Sequence, residues 1–589
     1  MTSLPPPNLR LGISALSGIP GVEILELPTY DEEESLWVLR IRLTIETSSD
    51  FVSVATDWYV LIDSEYPSGR ADFHPAQEGG IHATFRHMKR NLPTDRAWQS
   101  GVLCLDRPGR WLGNAALSGQ PNDAVGKLRF FVGAALRWLD FAARDALTED
   151  GERFELPSFA GSRSLEVIGF DESPDRFTPW TELLGRAGRA NVRKLTDVAG
   201  VVEQFTLGDA VVQPSRWGVH VSSLTDFMNA SWITLPSMPV VAPWAAPRTW
   251  GEFRTVVRAT GSGLNLDELL KIVYRRIRQG DNADGHVLLV GFPIPHIYDR
   301  ANVQMHWQPL LLPEAVCGSK SSLRHARDKL VWMTQRARSL HDDAVIEWLS
   351  SENWSENTLS IRGRLHERLC DARIALVGGG ALGSSLAEML VREGCRTIDL
   401  FENDEVQVGN LRRHTLALND IGRDKGSALA ERLNAVSPFA RVRAFPRLLD
   451  SSGHLDELRS ADIIVDCTAD EDAIATLARK LTDGKTRWFF SGAFGVDAEQ
   501  LFLYSEYGLG VDVGYYHAQM AEALARERRK IEERGLNDMQ NAGCWNPVFP
   551  AKWSAIQARA TEMLNAIEAA VISHPTEEKT LSIIPPAAA

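Results

Sequence analysis

Alternation with a period of two dominates the start of the chain. Residues 22–27 read as one strand stopped by Pro28, residues 36–45 as a second with alternating faces, and residues 57–62 as a third ended by Tyr66-Pro67. Phe73-His74-Pro75 is a short edge, and an amphipathic helix is predicted from Asp123 to about Leu147. A polar stretch with a proline, 148–160, reads as a linker. Beyond it the pattern is mixed, with strands at 164–168, 217–221 and 287–291 and a helix at 265–274. Residues 320–369 are helical and charged, with Arg324, Arg327, Lys329, Arg336 and Arg338 on a solvated face; an arginine there could reach a partner subunit's triphosphate. The pattern changes at 372–377, an unbroken apolar run that suits a buried parallel strand. Strands follow at 397–401, from Ile463, at 488–492 and at 500–504, then a charged helix at 520–534 and an amphipathic one at 551–572. The tail, 583–589, is expected to be disordered. These changes divide the chain into an N-terminal α+β domain (1–150), a middle mixed α/β domain that positions its neighbours (160–360) and a C-terminal α/β domain (361–589).

At 589 residues the chain is long enough for about three or four domains. Its net charge of −14 argues against nucleic acid as a general partner. No apolar run approaches the roughly 20 residues that span a bilayer, so no membrane partner is expected. Met1 to Pro7 lacks the basic and apolar regions of a secretory signal. Cysteines stand at 104, 317, 370, 395, 467 and 544 with no C-x-x-C pair. That spacing excludes the usual four-thiolate zinc site and points to reduced thiols in a cytoplasmic protein. His286, His296 and His306 recur in tens, but without partner acids or cysteines they read as packed or exposed histidines.

The chemistry concentrates after the apolar run. Gly378, Gly380 and Gly383 form a G-x-G-x-x-G between strand and helix, which sets bare amides and a helix N-terminus against phosphate. Glu402 ends the next strand, about 20 residues on, where an acid can grip ribose hydroxyls. This much says that a nucleotide binds, without separating NAD from ATP. Arg412, Arg413 and Lys425 beyond that acid are more cation than a pyrophosphate needs, and they suit a triphosphate. The strand from Ile463 ends in Asp466 and Asp470, where magnesium could be held. In this order the elements resemble the Rossmann-like ThiF/MoeB/HesA adenylating fold shared with ubiquitin-activating enzymes, over about 370–506. That resemblance implies that ATP and Mg2+ are used to make a carboxyl-terminal acyl-adenylate. By it Glu402 would hold ribose, and Asn410, Arg413 and Lys425 the phosphates. The family's magnesium aspartate follows the threonine directly; here Ala469 stands after Thr468, so Asp470, with Asp466 next, is the candidate.

Two cysteines stand apart from the glycine motif. Meander, Tyr-Pro turn, Gly101-Val102-Leu103-Cys104-Leu105-Asp106, trailing Trp111 and helix resemble the ubiquitin-conjugating fold, whose catalytic cysteine maps onto Cys104. The His-Pro-Asn that precedes the cysteine in that fold is replaced by Asp95-Arg96-Ala97, and His87 and Asn91 are the nearest substitutes for an oxyanion donor. His74 and His87 themselves read as surface or fold-stabilising histidines. Cys544 lies in Gly543-Cys544-Trp545-Asn546-Pro547, a loop by its Gly and Pro, where a thioester-forming nucleophile beyond an adenylating site belongs.

Conjugating domain first and activating domain last, with Gly-Cys-Trp-Asn-Pro near the end, resembles the conjugating component of CBASS antiphage operons. That family implies a homodimer that attaches the C-terminus of a cGAS-like nucleotidyltransferase (CD-NTase) to a target lysine through Cys544 and then Cys104. Alternatives are the same chemistry on a separate ubiquitin-like modifier, sulfur-carrier adenylation, and a non-catalytic nucleotide-sensing scaffold.

Overall fold

The computed structural model describes residues 4–105, 120–159, 167–276, 286–313, 339–445, 454–534, 539–540, 546–547, 551–573 and 579–585. The first sheet is the expected meander, β1 (Val22–Asp31), β2 (Leu36–Thr44), β3 (Ala55–Asp63) and β4 (Ala71–Pro75), antiparallel in that order. Alternation puts Leu39, Ile41 and Leu43 of β2 on one face, where they meet Leu128, Val132 and Leu139 of the helix Ala124–Ala143. Asp123 starts that helix by accepting from the amides of Val125 and Gly126. A helix at Pro7–Ser14 packs on the same core through Leu9 and Ile13. Its eight residues are too few to show a helical period in the sequence.

The middle sheet has nine strands: β5 (Val167–Phe170), β6 (Ala187–Thr196), β7 (Ala199–Leu207), β8 (Ala210–Gln213), β9 (Phe227–Thr234), β10 (His286–Ile294), β11 (Gln304–Leu312), β12 (Glu347–Trp348) and β13 (Ser350–Asn353). They run β12-β11-β10-β9-β6-β7-β5-β13, with β8 on β7. Every residue of β10 is buried, because both faces of the sheet are covered. Leu288, Val290 and Phe292 face the helices Trp250–Ala259 and Leu266–Arg276, while Val287 and Leu289 face a cluster holding Trp180, Trp232 and Trp307. Residues 217–221, expected as a strand, instead end in the helix Val219–Ser223. Neighbouring chain takes up their backbone groups: the amides of Gly218 and Val219 donate to the carbonyls of Pro438 and Ala440 at 2.7 and 2.9 Å. Trp217 stacks on Phe439 with centroids 5.2 Å apart.

The last large sheet contains β14 (Arg373–Val377), β15 (Thr397–Phe401), β16 (Arg441–Phe445), β17 (Ile463–Asp466), β18 (Arg487–Phe494) and β19 (Leu501–Gly508). β20 (Met539–Gln540) and β21 (Asn546–Pro547) pair with each other, antiparallel, on either side of Cys544 in the sequence. β22 (Lys579–Ile584) completes the order β16-β15-β14-β17-β18-β19-β22, parallel from β16 to β18 and antiparallel beyond. The expected disorder of the tail is therefore corrected at Ile583 and Ile584, which pair with Phe502 and Leu501. The edge of β19 offers a ladder that composition does not reveal. The chain steps outward from β14 to β16, then returns to the other side of β14 at β17. Such a switch point opens a crevice at the carboxyl ends of the strands. The helices Ala381–Arg392 and Trp553–Ile572 pack together on one face of this sheet. Among the described residues no helix is long and apolar enough to cross a membrane.

Candidate active site

The glycine motif occupies the switch point. Val377 ends β14, and Gly378 turns the chain at φ +89°, a conformation closed to most side chains. A Cβ on Gly383 would stand 1.9 Å from the Gly378 carbonyl oxygen, so only glycine lets the helix approach its own loop. Gly380 is the N-cap of the helix Ala381–Arg392, and no side chain caps it. The first amides of that helix are thereby left to an anion.

Glu402, at the end of β15, folds back onto this loop. Its Oε2 accepts from the Gly379 amide at 2.6 Å, and its Oε1 accepts from the amides of Asn403 and Asp404 at 2.8 and 2.9 Å. The Glu402 carboxyl group is thus turned onto the glycine loop by three backbone amides. Lys425 opens the helix Lys425–Val436 and is buried, its Nζ 2.8 Å from the exposed Asp404 carboxylate. A buried ammonium with one exposed partner can exchange that partner for a phosphate. Asn410 and Arg413 sit on the turn Val408–Arg412 and just after it, where Asn410 Oδ1 accepts from Gln407 and the Arg413 amide donates to the Asn410 carbonyl.

His414 fixes that turn to the glycine loop. Its Nδ1 accepts from the Leu416 amide at 3.1 Å, so the proton sits on Nε2, which donates to the Gly379 carbonyl at 2.6 Å. Burial pushes its pKa down to about 4, which keeps the ring neutral. Its position directly after the two arginines was the available signal.

The two metal candidates differ. Asp466 is fully buried and both its oxygens are engaged, Oδ1 by the Thr468 amide and hydroxyl and Oδ2 by Ser491 Oγ at 2.7 Å. Burial raises its pKa, and its contacts shape the loop rather than face a ligand. Asp470 is exposed, and its Oδ1 caps the helix Glu471–Lys480 by accepting from Asp472. Its second oxygen fits the sparse coordination of Mg2+, which takes one or two carboxylates and the phosphates of its nucleotide. Among the described residues no group of three or more His, Cys, Asp or Glu is gathered for a metal. His286 contacts Ser231 and His306 contacts Gln308, from opposite ends of the β10–β11 ladder.

Of the described cysteines Cys104 is exposed, Cys370 and Cys395 are buried, and Cys467 is intermediate. Desolvation raises the Cys467 thiol well above its ordinary pKa, so the sheet holds an unreactive thiol there. The Cys104 amide donates to the His87 carbonyl at 2.8 Å. Asn91 is not placed as an oxyanion donor. Its Nδ2 donates to the Ile81 carbonyl at 2.9 Å and its Oδ1 accepts from Gly101, all within the core. Cys544 and the charged residues Arg324 to Arg338 lie outside the described residues.

Residues 145–354 match the Cap2 central linker domain and residues 355–519 the ThiF family. The chain is 29% identical over 535 residues to the ATP-dependent ubiquitin transferase-like protein Cap2 of Enterobacter hormaechei, across 88% of this chain and 87% of that protein. Shorter matches are a sulfur carrier protein adenylyltransferase of Thermus thermophilus, 38% identical over 17% of this chain and 38% of that protein, and ubiquitin-like modifier-activating enzyme 5 of Drosophila sechellia, 26% identical over 31% of this chain and 46% of that protein. The chain is a Cap2 homologue, with a ThiF-family adenylating domain behind a Cap2 central linker domain.

Proposed function

We propose that this enzyme activates the terminal carboxylate of a partner protein with ATP and passes the acyl group through two cysteines to a lysine. The observation that carries the reading is Glu402 and Lys425 flanking an uncapped glycine loop, in one chain with the exposed Cys104 beside a separate sheet. A carboxylate oxygen attacks the α-phosphorus and pyrophosphate leaves, giving the acyl-adenylate. Lys425 and Arg413 would neutralise the phosphates, and Mg2+ at Asp470 would shield the leaving group. The Cys544 thiolate then displaces AMP to form a thioester, and Cys104 receives the acyl group by exchange of one thioester for another. A lysine amine finally displaces the Cys104 thiolate to give an amide. Thioesters suit the relay because they react with amines yet resist water.

The partner we favour is a CD-NTase, with a separate ubiquitin-like modifier as the second possibility, and the enzyme would work as a homodimer. Sulfur-carrier adenylation is the reading that the Thermus match favours, but it leaves the N-terminal cysteine unit without a task. The experiment is a gel shift with and without thiol, using ATP and the CD-NTase. Cys104→Ala should still form a reductant-sensitive adduct at Cys544, and Cys544→Ala should form none at either position. An adduct at Cys104 that survives the loss of Cys544 would overturn the relay.

A further inference from the structure

The segment 84–91 is gripped from two sides. On one side it pairs with residues 102–104 around an isolated bridge. The Lys89 amide donates to the Val102 carbonyl at 2.9 Å, Cys104 donates to His87 at 2.8 Å, and Met88 is bridged to Leu103. On the other side it is held by the middle sheet's loops. The Trp244 amide donates to the Thr84 carbonyl at 3.0 Å, and Arg90 Nη2 donates to the Ala246 carbonyl at 3.3 Å. Between these two bonds the Arg86 guanidinium lies 4.1 Å from the Trp244 ring centroid and 4.4 Å from that of Tyr298. Phe154 closes the aromatic box, its centroid 6.1 Å from Trp244 and 5.1 Å from Tyr298. His87 faces Glu152 and Glu155 across 3.0 and 3.5 Å. Trp244 and Tyr298 are both nearly closed to solvent, so the cation is attracted to their faces without competition from water.

We infer that Arg86 is a positioning residue for Cys104, and that the middle domain docks on the very segment whose backbone bonds that of the thiol. The inference rests on the reading of Cys104 as acyl acceptor. Segment 84–91 thus carries hydrogen bonds and a cation–π contact to residues 244–298 on one side and the backbone of Cys104 on the other, so the clamp sets where Cys104 stands relative to the middle domain. A guanidinium between two rings resists both sliding and rotation, which a purely apolar contact would allow. Loss of the clamp should leave adenylation untouched and slow the delivery to Cys104, because small misplacements of a nucleophile are costly.

The test compares wild type with Arg86→Met, which keeps the stem without the charge, and Arg86→Lys, which keeps the charge without the plane. ATP–pyrophosphate exchange reports adenylation, single-turnover transfer from the CD-NTase reports Cys104, and hydrogen exchange reports the clamp itself. Arg86→Met should keep pyrophosphate exchange, slow transfer by at least about tenfold and raise amide exchange in 84–91 and 244–246 while the helix Ala124–Ala143 stays protected. Arg86→Lys should recover part of both effects. Unchanged transfer and unchanged exchange in Arg86→Met would overturn the inference, as would a loss of transfer matched by an equal loss of adenylation and a fall in Tm. If wild type transfers nothing to Cys104, the acyl-acceptor reading falls instead, and hydrogen exchange still decides whether the clamp holds.

Discussion

Glu172 and His414 give the stability of this protein opposite dependences on pH. His414, like His286 and His306, has its pKa pushed from 6.5 to about 4 by burial, so between those values the unfolded chain binds the extra proton. Their contribution is lost as pH falls from 6.5 towards 4. Glu172 is fully buried, with Oε1 accepting from the indoles of Trp180 and Trp307 at 2.9 and 3.0 Å, and desolvation lifts its pKa from 4.5 to about 8. There the folded chain holds the extra proton, so its contribution is complete below 4.5 and lost as pH rises to about 8. Thermal melts should therefore show Tm declining on both sides of an optimum below neutrality. Glu172→Gln, which keeps an acceptor and removes the charge, should flatten the alkaline decline between pH 6.5 and 8; a slope equal to wild type would assign it to another group. His414→Ala removes the donor to Gly379 and should weaken ATP binding by about tenfold, since a lost buried hydrogen bond costs on the order of 1 kcal/mol or more. Calorimetry with ATP, beside a melt to confirm folding, measures it.

At the scale of elements, the loop from Asp466 to Asp470 separates two roles that look alike in sequence. Asp470 caps a helix, so Asp470→Ala should cost about 1 kcal/mol of stability as a lost cap as well as pyrophosphate release. Asp470→Asn keeps the cap and loses the charge; we expect it to lose magnesium-dependent pyrophosphate exchange with Tm unchanged. Full exchange in Asp470→Asn would leave Asp470 a cap only. Gly383→Ala should fail more severely, because its Cβ has 1.9 Å where an ordinary contact needs almost twice that. The glycine loop, Glu402 and the flanking strands were legible because their signals are consecutive and local. The meander was legible by its alternation. What was hidden depends on pairing across long separations: β22 finds its partner β19 about 80 residues earlier, and residues 217–221 bond the chain at 438–440. Asn91 illustrates the same limit, since nothing in its neighbours says that its amide is spent on Ile81 and Gly101.

At the scale of the whole molecule, loops beside the middle sheet hold Arg86, in the segment bonded to Cys104, and Trp217 stacks on Phe439 just ahead of β16. Ligand binding should stabilise the adenylating unit by mass action, about 2.7 kcal/mol at a hundredfold excess over Kd. Magnesium and ATP should thus raise Tm where NAD does not; the reverse result would return the glycine loop to a dehydrogenase-like role. Arg413→Ala should shrink the ATP shift. The helices that flank Cys544 in the sequence limit its reach. Val513–Arg534 ends ten residues before it, and Trp553–Ile572, packed on the glycine-loop helix, begins nine residues after it. Nine residues of covalent chain extend at most about 30 Å. The covalent chain therefore limits how far Cys544 can stand from the site that would charge it, and dilution cannot carry it away: the step from adenylate to Cys544 should be first order, with a rate constant independent of enzyme concentration.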